Sequence, residues 1–514
     1  MLRLLVLPIF LLSFLQEVKA QEAIARERWF ELDTGNFRVF SQLSRGQTER
    51  AAVELEQWRE AAVAVLGPSV AAGRDPIQTY VYLFDDEDAL RLFAEGEESS
   101  YLYSSPRAGF LILTDSDASL DLAQHHYSHF LINNRPIGVP RWYEEGMAAY
   151  LSRVRASSGE LELRAFRDEQ IEFATRLNEA LSLEALLYDD SALASPRLIQ
   201  IANLKSAMFL HFLLHGHEWE GFPDRRAQLQ AYLEFLQQGR TARFAYDQGF
   251  ADPVATLERD FDRFLPVFLE SGDVHRPLMT LPDQPEREAV EPTADAITLA
   301  LAELSLHSGK FNGAEVLFGD LVTRQSQVGR AFSGLADARR MRVRGPEETM
   351  PDVVPLYLQA VAMEDSDPQL YLDYGQYLDT ELHDCEKGYS AQERQSMQDD
   401  MQTYFARALE LAPESPEVNL SYARIFLMEG QDWRQGLEYH RKAFAAMPAD
   451  GFIMEQAIEY ALAAAQYDEA RTLITRLARP LHFWGTQPWI ADLSNRLQAA
   501  ERGQAYDVCA ASTP

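Results

Sequence analysis

The sequence predicts an α+β domain followed by an all-α helical-repeat solenoid, and three observations carry that expectation. Strand-like and helix-like patterns alternate through residues 21–275, a proline-dense run fills 276–292, and a helical pattern recurs at a 34-residue spacing within 293–508. At 514 residues the chain is too long for one ordinary core, so two or more domains are expected. Hydrophobic residues make up 46% and charged residues 25%, a globular composition. With 79 acidic against 47 basic side chains the formal net charge is −32, which repels a phosphate backbone and argues against a nucleic-acid partner.

The first element is a leader. "MLRLLVLPIFLLSFLQEVKA" has one arginine at position 3, an apolar run from Leu4 to Leu15, and Val18-Lys19-Ala20 before Gln21. The run is short for a bilayer span and ends in a small-x-small pattern, so residues 1–20 read as a secretory signal and the protein as exported. No later segment is long and apolar enough to span a membrane.

Next come the strands. "NFRVFSQL" (36–43), "IQTYVYLF" (77–84) and "GFLILTD" (109–115) are rich in β-branched and aromatic residues, and "TERAAVELEQWREAAVAVL" (48–66) has the apolar period of a helix. Mostly helical patterns follow up to residue 275. Prolines 277, 282, 285 and 292 then remove backbone donors, so 276–292 reads as a linker.

From 293 onward "SGKFNGAEVLF", "GQDWRQGLEYH" and "AAQYDEARTLI" place Phe311, Trp433 and Tyr467 equivalently, and the last two lie 34 residues apart. That is the tetratricopeptide period. One helical hairpin cannot bury its apolar face alone, whereas stacked hairpins can, leaving a concave groove suited to a protein or peptide. "DPQLYLDYGQYL" (367–378) and "SPEVNLSYARIF" (415–426) stand 48 apart, so an insertion containing Cys385 lies between them. Cys385 and Cys509 are the two cysteines; in an exported chain they can pair or remain as thiols.

The chemistry-bearing stretch is "SLDLAQHHYSHFLI" (119–132), a helix with Ser119 or Asp117 available as its N-cap. Four residues make just over one turn, so His125 and His129 project from one face and can clamp a zinc ion. "PRWYEEGMAAYLS" (140–152) begins a second helix with Glu144 and Glu145 near its start, a source for a third ligand after a loop of turn-back length. Without metal the same residues make a polar cluster. His211 and His215 are also four apart, but with no acidic partner at comparable spacing they read as a helix face.

These residues carry a resemblance. "HHYSHF…VPRWYEEGMAAYLS" resembles the peptidase MA-like, gluzincin-type family, whose usual form is H-E-x-x-H followed by W-x-x-E-G-x-A-E-Y. "FRVFSQLS", "TYVYLFDDEDALRLF" and "NLKSAMFLHFLL" are similar to that family too, as is a tetratricopeptide array after the peptidase-like part. The resemblance implies a gluzincin-like α+β fold for 21–275, zinc as cofactor, and His125, His129 and Glu145 as its three ligands. It also marks departures. His126 stands where the family has its glutamate base, Ala149 where a glutamate can orient a zinc histidine, and Asn203 where a tyrosine stabilises the oxyanion. An imidazole beside a dication is a poor proton carrier, and loss of a positioned acid/base forfeits about 10²–10⁴-fold in rate.

Three readings follow. The leading one is an exported, periplasmic pseudo-metallopeptidase that holds zinc without efficient catalysis and binds a protein or peptide through its repeats. The second is an active zinc peptidase with a non-glutamate base. The third is a metal-free binding scaffold. His126 can be a retired base, a substitute base or a fourth ligand, although adjacent helical residues point about 100° apart, which opposes direct ligation.

Overall fold

The computed structural model describes residues 17–67, 75–94, 96, 98–134, 138–157, 159–189, 193, 195–250, 252–326, 329–342, 351–363, 366–385, 387–478 and 488–504. Residues 1–16 of the expected leader, and Cys509, one of the two cysteines, therefore fall outside the described residues.

Five strands form the central sheet: β1 (Phe30–Asp33), β2 (Phe37–Ser41), β3 (Gln78–Phe84), β4 (Ser100–Ser104) and β5 (Ala108–Thr114), in the order β1-β2-β3-β5-β4. The β2–β3 and β3–β5 pairs are parallel, while β1 and β4 close the edges antiparallel. The sequence marks β2, β3 and β5 through their apolar runs; "FELD" has only four residues with two acidic, and "SYLYS" is closed by serines, so neither announces itself.

β3 and β5 are buried along nearly their whole length, and their period-two alternation divides the side chains between two cores. Val81, Leu83, Leu111 and Leu113 face helix α1 (Arg45–Leu66) and the helical part of the N-terminal half, where Trp58 and Tyr127 are buried. Tyr82, Phe84, Phe110 and Ile112 face the other way and pack with Ile297, Leu301, Leu304 and Leu335. Those residues belong to the first helices of the repeat region, Ala294–His307 and Gly329–Met341. The Tyr82 hydroxyl donates to the Ala300 carbonyl at 2.8 Å, and the His307 ring stacks on Phe110 with centroids 4.3 Å apart.

The proline-dense run is pinned to the N-terminal half rather than strung between two bodies. β6 (Val154–Ser157), β7 (Glu160–Leu163) and β8 (Arg276–Thr280) make a second, antiparallel sheet, so a strand stands where a structureless linker is expected. β8 is an edge strand, and Pro277 sits beside a register irregularity, the place in a sheet that tolerates a missing donor. Beyond it, Gln57 Nε2 donates to the Pro282 carbonyl at 3.0 Å and Val290 bridges to Glu31.

The second half is a series of antiparallel helical hairpins. Phe311, Trp433 and Tyr467 each begin the second helix of a pair: Phe311–Thr323, Trp433–Ala446 and Tyr467–Leu477. The insertion between residues 367 and 426 accommodates residues 387–390 and a 21-residue helix, Ala391–Leu411. The array touches the N-terminal half a second time through Ala443, Met447 and Ile453, which belong to the first core. Among the described residues no helix is long and apolar enough to cross a membrane.

Candidate metal centre

Helix α2 (Asp117–Asn133) follows β5 directly. Its N-cap is Ser116 rather than Asp117 or Ser119, the two candidates the sequence offers, and the Ser116 hydroxyl accepts from the Ser119 amide at 3.2 Å. Ala123, Tyr127, Phe130 and Leu131 anchor α2 in the core, which leaves His125 and His129 on a face turned toward α3 (Arg141–Leu151). Pro140 is the N-cap of α3. Gly146 lets α3 lie against α4 (Pro196–His215), because a Cβ there would come within 2.7 Å of the Ser206 carbonyl oxygen.

The structure brings His125, His129 and Glu145 together. One ligand atom from each lies within 4.8 Å of the others, with His129 and Glu145 buried and His125 partly buried. The two Nε2 atoms are 3.2 Å apart, and each stands 3.8 Å from Glu145 Oε2. Bonds of about 2.0–2.1 Å at tetrahedral angles place donor atoms roughly 3.3–3.4 Å apart, so the three donors fit a zinc-sized ion after closing by a few tenths of an ångström. Three protein ligands leave a fourth position open.

Glu144 has a role the sequence does not reveal. Its Oε1 lies 3.0 Å from His129 Nδ1 and also accepts from Asn133 Nδ2 at 2.7 Å. A carboxylate can only accept, so His129 carries its proton on Nδ1 and presents the Nε2 lone pair toward His125 and Glu145. Glu144 thus offers, one residue before Glu145, the kind of orienting carboxylate that the resemblance expects at position 149.

His126 is not in the cluster. Its ring centroid is 6.0 Å from that of His125, and its Nε2 lies 3.9 Å from Glu98 Oε2, on the loop before β4. Burial, then the neighbouring His129, pushes its imidazole down to about 4, so it is neutral at neutral pH. Asn203 reaches the edge of the site on α4, where its Oδ1 accepts from Arg141 Nη2. Arg141, buried, also stands 3.9 Å from Glu145 Oε1, and it is the cation beside the cluster that motif reading passes over. His211 packs against Phe268 with centroids 4.9 Å apart, and His215 meets Glu218 at 2.9 Å, away from the cluster.

No family model matches the chain. No curated protein matches it. Among solved structures, a monomeric mutant of IFIT1 with m7Gppp-AAAA is similar at 12% identity and a TM-score of 0.27, covering 68% of this chain and 81% of that one. A TM-score of that size falls short of a shared fold.

Proposed function

We propose that the chain is an exported, periplasmic protein whose gluzincin-like N-terminal half holds zinc through His125, His129 and Glu145, with little peptidase activity, and whose tetratricopeptide-type repeats serve protein or peptide binding. The observation that carries the proposal is the ligand geometry: three donors converge while Glu144 fixes the His129 tautomer. Zinc bound there would supply an acidic water and polarise a carbonyl.

The impairment follows from what stands around the cluster. The residue in the base position, His126, is turned toward Glu98 rather than toward the ligand atoms. Asn203, held through its Oδ1 by Arg141, has a shorter reach than the tyrosine that would donate to the oxyanion. A buried guanidinium at that place can bind or orient a carbonyl or carboxylate, but it does not shuttle a proton, because its charge persists at any ordinary pH.

The contact between His126 and Glu98 favours a second reading, an active peptidase in which this pair replaces the glutamate base. Metal analysis of the purified protein, with His129→Ala as control, decides whether either reading stands. Stoichiometric zinc lost in the variant supports both, and absent zinc refutes both. Chelator-sensitive peptide cleavage by the unaltered protein selects the second.

A further inference from the structure

Against a net charge of −32, a crevice walled by arginines is out of keeping with its surroundings. One lies where the start of α3 meets the far end of the repeat array, with a volume of about 510 Å³. Arg141, Arg240, Arg243 and Arg476 line it, and its described lining residues include no carboxylate. Its apolar part comes from Val139, Leu186, Leu187 and Leu236.

The arginines are held in place. Arg243 lies 4.4 Å over the Tyr188 ring and pairs with exposed Glu184 at 3.1 Å, and Arg240 lies 5.3 Å over Phe244. The Arg476 guanidinium crosses Gly138 so closely that a Cβ there would stand 3.1 Å from it. Arg141 belongs both to this crevice and to the metal centre, since its Nη2 is 3.9 Å from Glu145 Oε1.

We infer that the crevice recognises a carboxylate-bearing peptide segment, with the carboxylate among Arg240, Arg243 and Arg476 and the peptide backbone running past Arg141 toward His125, His129 and Glu145. Only the last part rests on the metal-centre reading. Guanidinium forks match a carboxylate in two parallel hydrogen bonds, stronger than neutral ones. The acidic remainder of the surface does not cancel this, because charges farther than about 8 Å are largely screened at physiological salt while contacts inside the crevice are not.

Fluorescence anisotropy on the full-length protein tests the assignment, using a fluorescein-labelled octapeptide in four forms: Glu-Glu or Gln-Gln at the last two positions, each as free acid or amide. Either carboxylate source is expected to bind at least about tenfold more tightly than the Gln-Gln amide, and Arg243→Gln with Arg476→Gln to abolish the preference. The Glu-Glu amide and the Gln-Gln free acid tell side-chain from terminal carboxylates. Arg243 is 61% exposed, so Arg243→Gln alone, expected to weaken the preference, serves if the double variant does not fold. Equal binding of all four peptides, an undiminished preference in the variants, or tighter binding of a short oligouridylate overturns the inference. Zinc measured on the same samples separates the two proposals: acid preference without zinc sustains the crevice and refutes the metal centre, whereas zinc without acid preference does the reverse.

Discussion

Glu144 Oε1 lies 3.0 Å from His129 Nδ1, on the opposite side of the imidazole from His125. That contact turns His129 Nε2 toward His125 and Glu145, where a metal would sit, and under the proposed function it would make Glu144 a positioning residue. Glu144→Gln is expected to keep the fold, because an amide can still accept from His129, and to weaken zinc affinity by about 10–100-fold. Competition with a coloured chelator measures this, and an unchanged affinity would remove Glu144 from the metal's surroundings.

Placing a carboxylate at position 126 tests the proposed impairment. His126→Glu is expected to raise peptide hydrolysis by about 10²–10⁴-fold with zinc content unchanged. If the rate stays flat while zinc is bound, the proposed impairment has another source, with Arg141, beside Glu145, and its partner Asn203 the next to vary.

The contact between the two halves has an electrostatic centre. Arg107, at the turn between β4 and β5, reaches Asp373 at 2.8 Å and Glu417 at 3.2 Å, and Arg330 bonds to both Asp373 and Glu303. Arg107 is 17% exposed and Asp373 fully buried, so removing one partner leaves charge uncompensated in low dielectric. Arg107→Ala should cost about 3–5 kcal/mol, read from the urea midpoint. A loss below about 1 kcal/mol would show the pair to be no stronger than a surface bridge.

Buried histidines set the acid limit of stability. Burial, then Arg107, pushes His307 down to about 3, and burial pushes His440 down to about 4. Their unfolded value is near 6.5, so between these limits the unfolded chain binds more protons, and stability is complete above pH 6.5 and falls as pH drops through the window. For His307 the loss between pH 7 and 5 is about 2 kcal/mol. His307→Gln should flatten that part of the slope in urea titrations at the two pH values.

How much of this was legible in the sequence depends on the range of the interaction. The four-residue spacing of His125 and His129 fixes a shared face through helix geometry alone, and the positions of Phe311, Trp433 and Tyr467 follow from one hairpin repeating. Glu144 could not be assigned because adjacent helical residues point about 100° apart, and only the packing of α3 on α2 decides which carboxylate meets which imidazole. The four arginines of the crevice are drawn from positions 141 to 476 and share no local pattern. The joining of the halves did leave a trace. "YVYLF" in β3 is apolar at every position, and a strand buried on one face alone would alternate.

The repeat array is fastened to the N-terminal half along its course: its first helices cover the sheet at Phe110 and Tyr82, Asp373 and Glu417 hold Arg107, and later helices return to the first core and cross Gly138. It is therefore a belt buckled at several points, unlike a free tail that can gain or lose units at its tip. Deleting or adding one 34-residue hairpin would carry every later buckle away from its seat, so the length of the array is set by the surface it follows.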